Sequence, residues 1–268
     1  DIETETYNLD PSKIEKAMTP RTKVVMPIHY GGQCAEMDQI SELAEKHGVK
    51  VVEDAAPAAG SIYKGRKAGT LRHAAGFSFF PDKNLTTGEG GAITTNDSDL
   101  AEKARVMRKH GAQRRYYNTY IGWNYKLPDF AAALGLSQLR RLEHVITEKN
   151  RLAEYYSVRL QDLDGARVPV VKPYNRHTFM LYAVRFNTSR MRERVRQALE
   201  QKRIETRINF PPIHLQPAYV KLYGYTSGVF PASEEVGDTI LSLPIYLGLT
   251  EDQQQEIVEI MDMTMKKA

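Results

Sequence analysis

The sequence predicts an α/β fold, with a mostly parallel sheet in a larger first domain and a smaller α+β domain after it. Three observations carry that prediction. Short β-branched or apolar runs alternate with helix-period segments through the first half. The runs are nearly continuously apolar, as strands covered on both faces are. Beyond Gly165 the order of strand and helix signals changes.

Residues 23–30 (KVVMPIHY) read as a strand ending at Gly31-Gly32. Met37, Ile40, Leu43 and Ala44 have helical spacing, and Gly48 stops that helix. Residues 49–53 (VKVVE), 74–80 (AAGFSFF) and 91–95 (GAITT) are the next strands. A helix follows Asn96-Asp97, either of which suits its N-cap, and ends near Gly111. Residues 129–162 form a long helical stretch with Leu134, Leu139, Leu142, Val145 and Ile146 as apolar positions. A kink or break is expected within it. Residues 178–186 and 204–210 read as strands and 190–201 as a helix. Thr250-Glu251-Asp252-Gln253 is a capping box opening the terminal helix. The domains are set at 1–164, including the long connecting helix, and 165–268.

Composition narrows the function classes. Apolar residues make up 41% and charged residues 26%, so a globular core is expected rather than a disordered chain. No apolar run reaches the ~20 residues of a membrane helix, and no membrane partner is expected. A net charge of +4 is too weak to indicate nucleic acid. The seven histidines lack metal-ligand spacing, and no metal is assigned. The single cysteine, Cys34, suits a reducing cytoplasm.

Three segments can carry chemistry. In VVEDAA, a strand ends in Glu53-Asp54 and then small residues, and ligands of open α/β sheets collect beyond strand carboxyl ends. Alone, Asp54 reads equally as a cap or a solvated turn acid. In FSFFPDKN, a strand runs into a loop carrying Lys83; alternation puts Phe77 and Phe79 on one face and Ser78 and Phe80 on the other. A desolvated lysine is a nucleophile or base, although most lysines are surface residues. In TTGEGG, glycines and hydroxyls can face an anion or simply close a tight turn.

In this order, VVEDAA, YKGRKAGT and GFSFFPDKNLTTGEGGAITTND resemble the DegT/DnrJ/StrS family of sugar-nucleotide aminotransferases, which are fold-type I pyridoxal-phosphate enzymes. NLDP at 8–11, TPRTK at 19–23, GWNYKL at 122–127 and IHLQPAY at 213–219 extend the resemblance over essentially the whole chain. It implies a fold-type I aminotransferase-like architecture and transamination of a nucleotide-linked keto-sugar to an amino-sugar, with glutamate as donor, for polysaccharide or amino-sugar biosynthesis. The cofactor implied is pyridoxal 5'-phosphate. Lys83 matches the family lysine that holds it as an internal aldimine and then moves the proton. Asp54 matches the aspartate opposite the pyridine nitrogen, and Ser78 a serine at the cofactor phosphate. Asn124 matches an asparagine that reaches the neighbouring subunit's phosphate site, which implies a homodimer. His214, and less strongly Tyr30, are candidate substrate contacts; a structural histidine and a packed strand-end aromatic are the alternatives. The cluster Arg105, Arg108, Lys109, Arg114 and Arg115 suits a diphosphate or a solvated helix face. Tyr116, Tyr117, Tyr120 and Trp123 suit a base pocket or a subunit interface.

Departures from the family pattern also count. Pro57 stands where a Gln or His is usual near the ring, and Asn209 where a His is frequent. The chain starts without Met, and family members carry a phosphate-gripping helix start before the segment matching Asp1; the large domain is therefore expected to be N-terminally incomplete. The alternatives are a pyridoxal-phosphate sugar dehydratase, which would have His in place of Lys83, and a non-catalytic regulatory protein on the same scaffold.

Overall fold

The computed structural model describes residues 1–266. Asp10 caps α1 (Pro11–Ala17) by accepting the Ser12 N–H, with Pro11 pre-set for the first turn. Then come β1 (Val24–Val25), α2 (Met37–Lys46), β2 (Lys50–Asp54), β3 (Ile62–Tyr63), β4 (Arg66–Lys67), β5 (Ala74–Ser78) and β6 (Gly91–Thr94). They are followed by α3 (Ser98–Met107), the hairpin β7 (Ala112–Arg114) and β8 (Tyr117–Asn118), and α4 (Asp129–Leu160). The remainder is β9 (Ala166–Arg167), β10 (Asn175–Arg176), β11 (Tyr182–Phe186), α5 (Ser189–Gln201), α6 (Pro217–Tyr223), α7 (Pro231–Thr239), β12 (Ile240–Leu243) and α8 (Glu251–Lys266).

The main sheet has the order β1-β2-β5-β6, parallel except for the β5–β6 pair. Two small sheets, β10-β3-β4 and β12-β11-β9, complete the frame. The α/β class and the mostly parallel sheet agree with expectation. Coverage of the sheet does not. One face packs Val49 and Val51 against Met37, Ile40 and Ala44 of α2 and Ile14 of α1. On the other face, Val24, Met26 and Ile93 are exposed among the described residues.

Several boundaries also differ. The 23–30 run is a strand only at β1, because Pro27 has no N–H for a ladder; a single bridge, Ile28 to Asp54, continues it. Residues 178–181 are not strand: the Thr178 and Leu181 N–H groups bond the carbonyls of Gly32 and Gly31 instead. Residues 204–210 form no strand, only a bridge from Arg207 to Ser242, before Pro211-Pro212. α4 runs unbroken for 32 residues, so the break that a long uncapped pattern suggests is absent. Asp97, not Asn96, caps α3. The capping box of α8 is reciprocal, with Gln253 N–H to Thr250 Oγ1 at 3.2 Å and Thr250 N–H to Gln253 Oε1 at 3.0 Å.

The second core gathers Leu152, Tyr156 and Leu160 of α4, Val184 and Phe186 of β11, Leu199 of α5, Leu241 of β12 and Met261 of α8. Each such side chain contributes about 1.5–3 kcal/mol on burial. The C-terminal half of α4 is thus anchored in this core. Its N-terminal half leaves Phe130, Leu134 and Leu139 exposed. No helix among the described residues is long and apolar enough to cross a membrane.

Candidate active site

The site follows from strand register. Asp54 of β2 pairs with Gly76 of β5, and Ser78 lies two residues further along β5. Partners across a ladder share a face, and so do residues two apart. Asp54 and Ser78 therefore stand on one face, the open one, at the carboxyl ends of adjacent parallel strands. The Asp54 carboxylate accepts one N–H, from Ala56 at 3.1 Å. Ser78 Oγ accepts the Phe80 N–H at 3.3 Å and keeps its own proton to donate. The loop after β5 carries Lys83, whose side chain is 15% exposed and whose Nζ lies 3.0 Å from Asp82 Oδ1. Thr86–Gly91 closes this loop as a turn: Phe79 N–H donates to Gly90 O and Thr87 N–H to Phe79 O, both at 2.9 Å, and the Thr87 hydroxyl goes to Glu89 O.

The opposite face is a fully paired buried network. Glu53, wholly buried, accepts N–H groups from Gly69 at 2.7 Å, Leu71 at 2.8 Å and Arg72 at 3.1 Å. His29 Nδ1 accepts the Ala35 N–H, so its proton sits on Nε2, 3.0 Å from Glu53 Oε2. Gly69 is left-handed (φ +87°), and a Cβ there would strike the Phe77 ring; this is the constraint behind the second glycine of YKGRKAGT. Burial pushes the Glu53 carboxyl upward, but the His29 and backbone hydrogen bonds overcome it and hold the pKa below the usual range. A depressed folded pKa stabilises the fold above the unfolded carboxyl value and loses that stability as pH falls through the folded value. Glu53→Ala is expected to cost about 3–5 kcal/mol, since it orphans His29 and three N–H groups. Urea unfolding at neutral pH measures this, and the difference from wild type should shrink in acid.

The other sequence candidates are placed as follows. The Tyr30 hydroxyl donates to the Asn209 carbonyl, and its ring meets Tyr7 and Phe210 edge-on, so it braces the 209–210 segment. His214 is buried, bonded through Nε2 to Glu234 at 2.9 Å and flanked edge-on by Phe230 and Tyr225. That is the partner set of a structural histidine. Asn124 is exposed, on a bridge to Lys109. Pro57 is buried. Arg105 faces Glu102 at 3.6 Å. Arg114 and Arg115 lie over Tyr117 and Tyr116, and Trp123 stacks on Tyr125, all in an exposed aromatic surface beside Asn124.

A cleft of about 650 Å³ opens beside Asp82, walled by Arg207, Asn209, Ser242, Tyr246 and Gln253 among others. Sequence reasoning did not single out Arg207, Ser242 or Tyr246. No local spacing marks them; the β11–β12 pairing and the Arg207–Ser242 bridge bring them together.

A parallel sheet with a lysine loop and a carboxylate beyond its strand ends is the architecture of fold-type I aminotransferases. The chain belongs to the DegT/DnrJ/EryC1/StrS aminotransferase family, whose model matches residues 1–262. It is 41% identical to the GDP-perosamine synthase of Caulobacter vibrioides over 99% of this chain and 72% of that protein. It is 37% identical to the dTDP-3-amino-3,4,6-trideoxy-alpha-D-glucose transaminase of Micromonospora megalomicea subsp. nigra, over 97% and 70%. The crystal structure of S. venezuelae DesV in complex with a ketimine intermediate superposes with a TM-score of 0.95 at 35% identity, over 100% of this chain and 71% of that one.

Proposed function

We propose that the protein transfers an amino group, from glutamate, to a nucleotide-linked keto-sugar, using pyridoxal 5'-phosphate held by Lys83, Asp54, Ser78 and, from a second copy, Asn124. The observation that carries this reading is the placement of Asp54 and Ser78 on one open face, with Lys83 on the loop that follows. The donor set fits the group: an amine for an aldehyde, a carboxylate for a pyridinium and a hydroxyl for a phosphate. When bound, the cofactor supplies a carbonyl that takes up amines and a ring that withdraws electrons.

The protein's own work is then local. The Lys83 amine would hold the cofactor and, when free, could take up or give a proton at the substrate carbon. The Asp54 carboxylate, with one N–H and no cation pairing it among the described residues, would keep a proton on the ring nitrogen of the bound cofactor. Ser78 would donate to its phosphate. The cleft beside Asp82 receives the sugar; Arg207 in its wall is paired with Glu205 at 3.0 Å. The GDP- and dTDP-sugar names of the relatives support the substrate class. Lys83 in place of His speaks against the dehydratase alternative. Division at residues 164/165 and a homodimer with shared sites belong to the same proposal; the exposed aromatics around Asn124 suit a subunit interface.

Visible absorption tests the function. With pyridoxal phosphate the protein should show a visible absorption band that the protein alone lacks. Glutamate should discharge it, and a nucleotide-linked keto-sugar should restore it. A band that glutamate leaves unchanged would remove glutamate as donor.

A further inference from the structure

The cleft wall at residues 209–210 is held by one side chain from a distant part of the sequence. Arg207 is tied to β12 by paired backbone bonds, Arg207 N–H to Ser242 O at 3.2 Å and Ser242 N–H to Arg207 O at 2.7 Å. Pro211 and Pro212, which have no N–H to give, follow Phe210. Between these anchors, among the described residues, the one hydrogen bond of Asn209 and Phe210 runs from the Tyr30 hydroxyl to the Asn209 carbonyl, and the one ring contact is that of Phe210 with Tyr30. Tyr30 itself is firmly placed. Its N–H donates to Asn8 Oδ1 at 2.8 Å, its carbonyl accepts the Gln33 N–H at 3.0 Å, and Tyr7 meets its ring edge-on. The preceding residue, His29, donates its N–H to the Asp54 carbonyl at 3.1 Å. Tyr30 thus joins the strand end that carries Asp54 to the wall of the cleft. Asn209 and Phe210 line that cleft, and Tyr30 does not.

We propose that Tyr30 is a positioning residue for the sugar: its hydroxyl holds the Asn209 backbone so that the Asn209 carboxamide is preset to bind a hydroxyl or keto oxygen of the substrate. This rests on the reading of the cleft as the sugar site given above. The carboxamide makes no hydrogen bond among the described residues. It offers an acceptor oxygen and two N–H donors, the complement of a sugar hydroxyl. Neighbouring polar groups of the wall are engaged elsewhere: Arg207 with Glu205, Gln253 with Thr250, and Asp82 with Lys83. A wall segment that orders only when ligand arrives loses affinity to that ordering, and a segment already fixed does not. The Tyr30 hydroxyl therefore contributes to binding without touching the ligand.

Tyr30→Phe keeps the ring and removes only the hydroxyl. In amide-detected carbonyl NMR of the full chain without ligand, the Phe210 N–H reports the Asn209 carbonyl carbon. Tyr30→Phe is expected to move that carbon upfield and to lower the Phe210 amide order parameter from about 0.85 to below about 0.6. Kinetics with glutamate as donor and GDP- and dTDP-linked 4-keto-6-deoxyhexoses as acceptors give a second readout. KM for the acceptor should rise about five- to tenfold, the scale of one hydrogen bond, while kcat changes less than about twofold. Asn209→Ala, which keeps the backbone carbonyl, should raise KM at least as much and leave the Phe210 order parameter in place. The double variant should be no worse than Asn209→Ala alone, because Tyr30 acts through that side chain. A folded Tyr30→Phe protein with unmoved NMR signals would overturn the proposal, and so would additive effects on KM. An unchanged KM in Asn209→Ala would overturn it even if Tyr30→Phe does not fold. Moved NMR signals in a protein that turns over neither acceptor would support the brace and count against the cleft as a sugar site.

Discussion

Lys83→Ala is expected to lower transamination by about 10⁴-fold or more, because both the covalent handle and the proton carrier are lost. The adduct that borohydride traps in wild type should disappear, and peptide mapping of the reduced wild type should place it on Lys83. Circular dichroism should remain native, since the side chain sits on a loop and only its backbone N–H, 3.1 Å from Phe80 O, supports the turn. Turnover at the wild-type rate would remove Lys83 from the mechanism. The same variant tests the assembly. Mixed with Asn124→Ala chains, Lys83→Ala chains should regain part of the activity, because one site of each hybrid dimer has both residues intact. Hybrid dimers that form and stay inactive would contradict shared sites.

Asp54→Ala is expected to cost about 3 kcal/mol or more in kcat/KM, roughly 10²–10³-fold, the scale of a lost preorganised charge. The carboxylate is placed by backbone rather than by side-chain packing. The Asp54 N–H bonds Pro27 O at 2.9 Å and its carbonyl accepts the His29 N–H at 3.1 Å. Substitution should therefore leave β2 intact and the Lys83 adduct trappable, while the proton-transfer step slows. Stopped-flow absorption of the glutamate half-reaction separates these two outcomes. A variant as fast as wild type in that half-reaction would detach Asp54 from the ring nitrogen. Comparing Asp54→Ala with Glu53→Ala is informative because the two residues are adjacent but face opposite ways. The first should lose rate with little loss of stability, and the second should lose stability first.

Much of this arrangement was legible in the chain itself. Period-two alternation separates Glu53 from Asp54 and Phe77 from Ser78, and both alternations are written in single short segments. The helix signals around α2, α5 and α8 are equally local, so their positions agree with the structure to within a residue or two. Three decisions needed tertiary structure. The face carrying Asp54 and Ser78 is the open one because α1 and α2 pack on the other side, and a run of valines reads the same in either case. Most of the cleft wall comes from segments far beyond Lys83 in the sequence, joined by bonds such as Arg207 to Ser242 that no local spacing encodes. Tyr30 and His214 leave a site role and a structural role open in the sequence, and only the structure gives their hydrogen bonds to Asn209 and Glu234. What the sequence by itself determined is what a periodic backbone determines: which elements form and which way each side chain points from its own strand. What only the tertiary structure decided is which faces meet and which partners satisfy each polar group, because those depend on register and packing between distant segments.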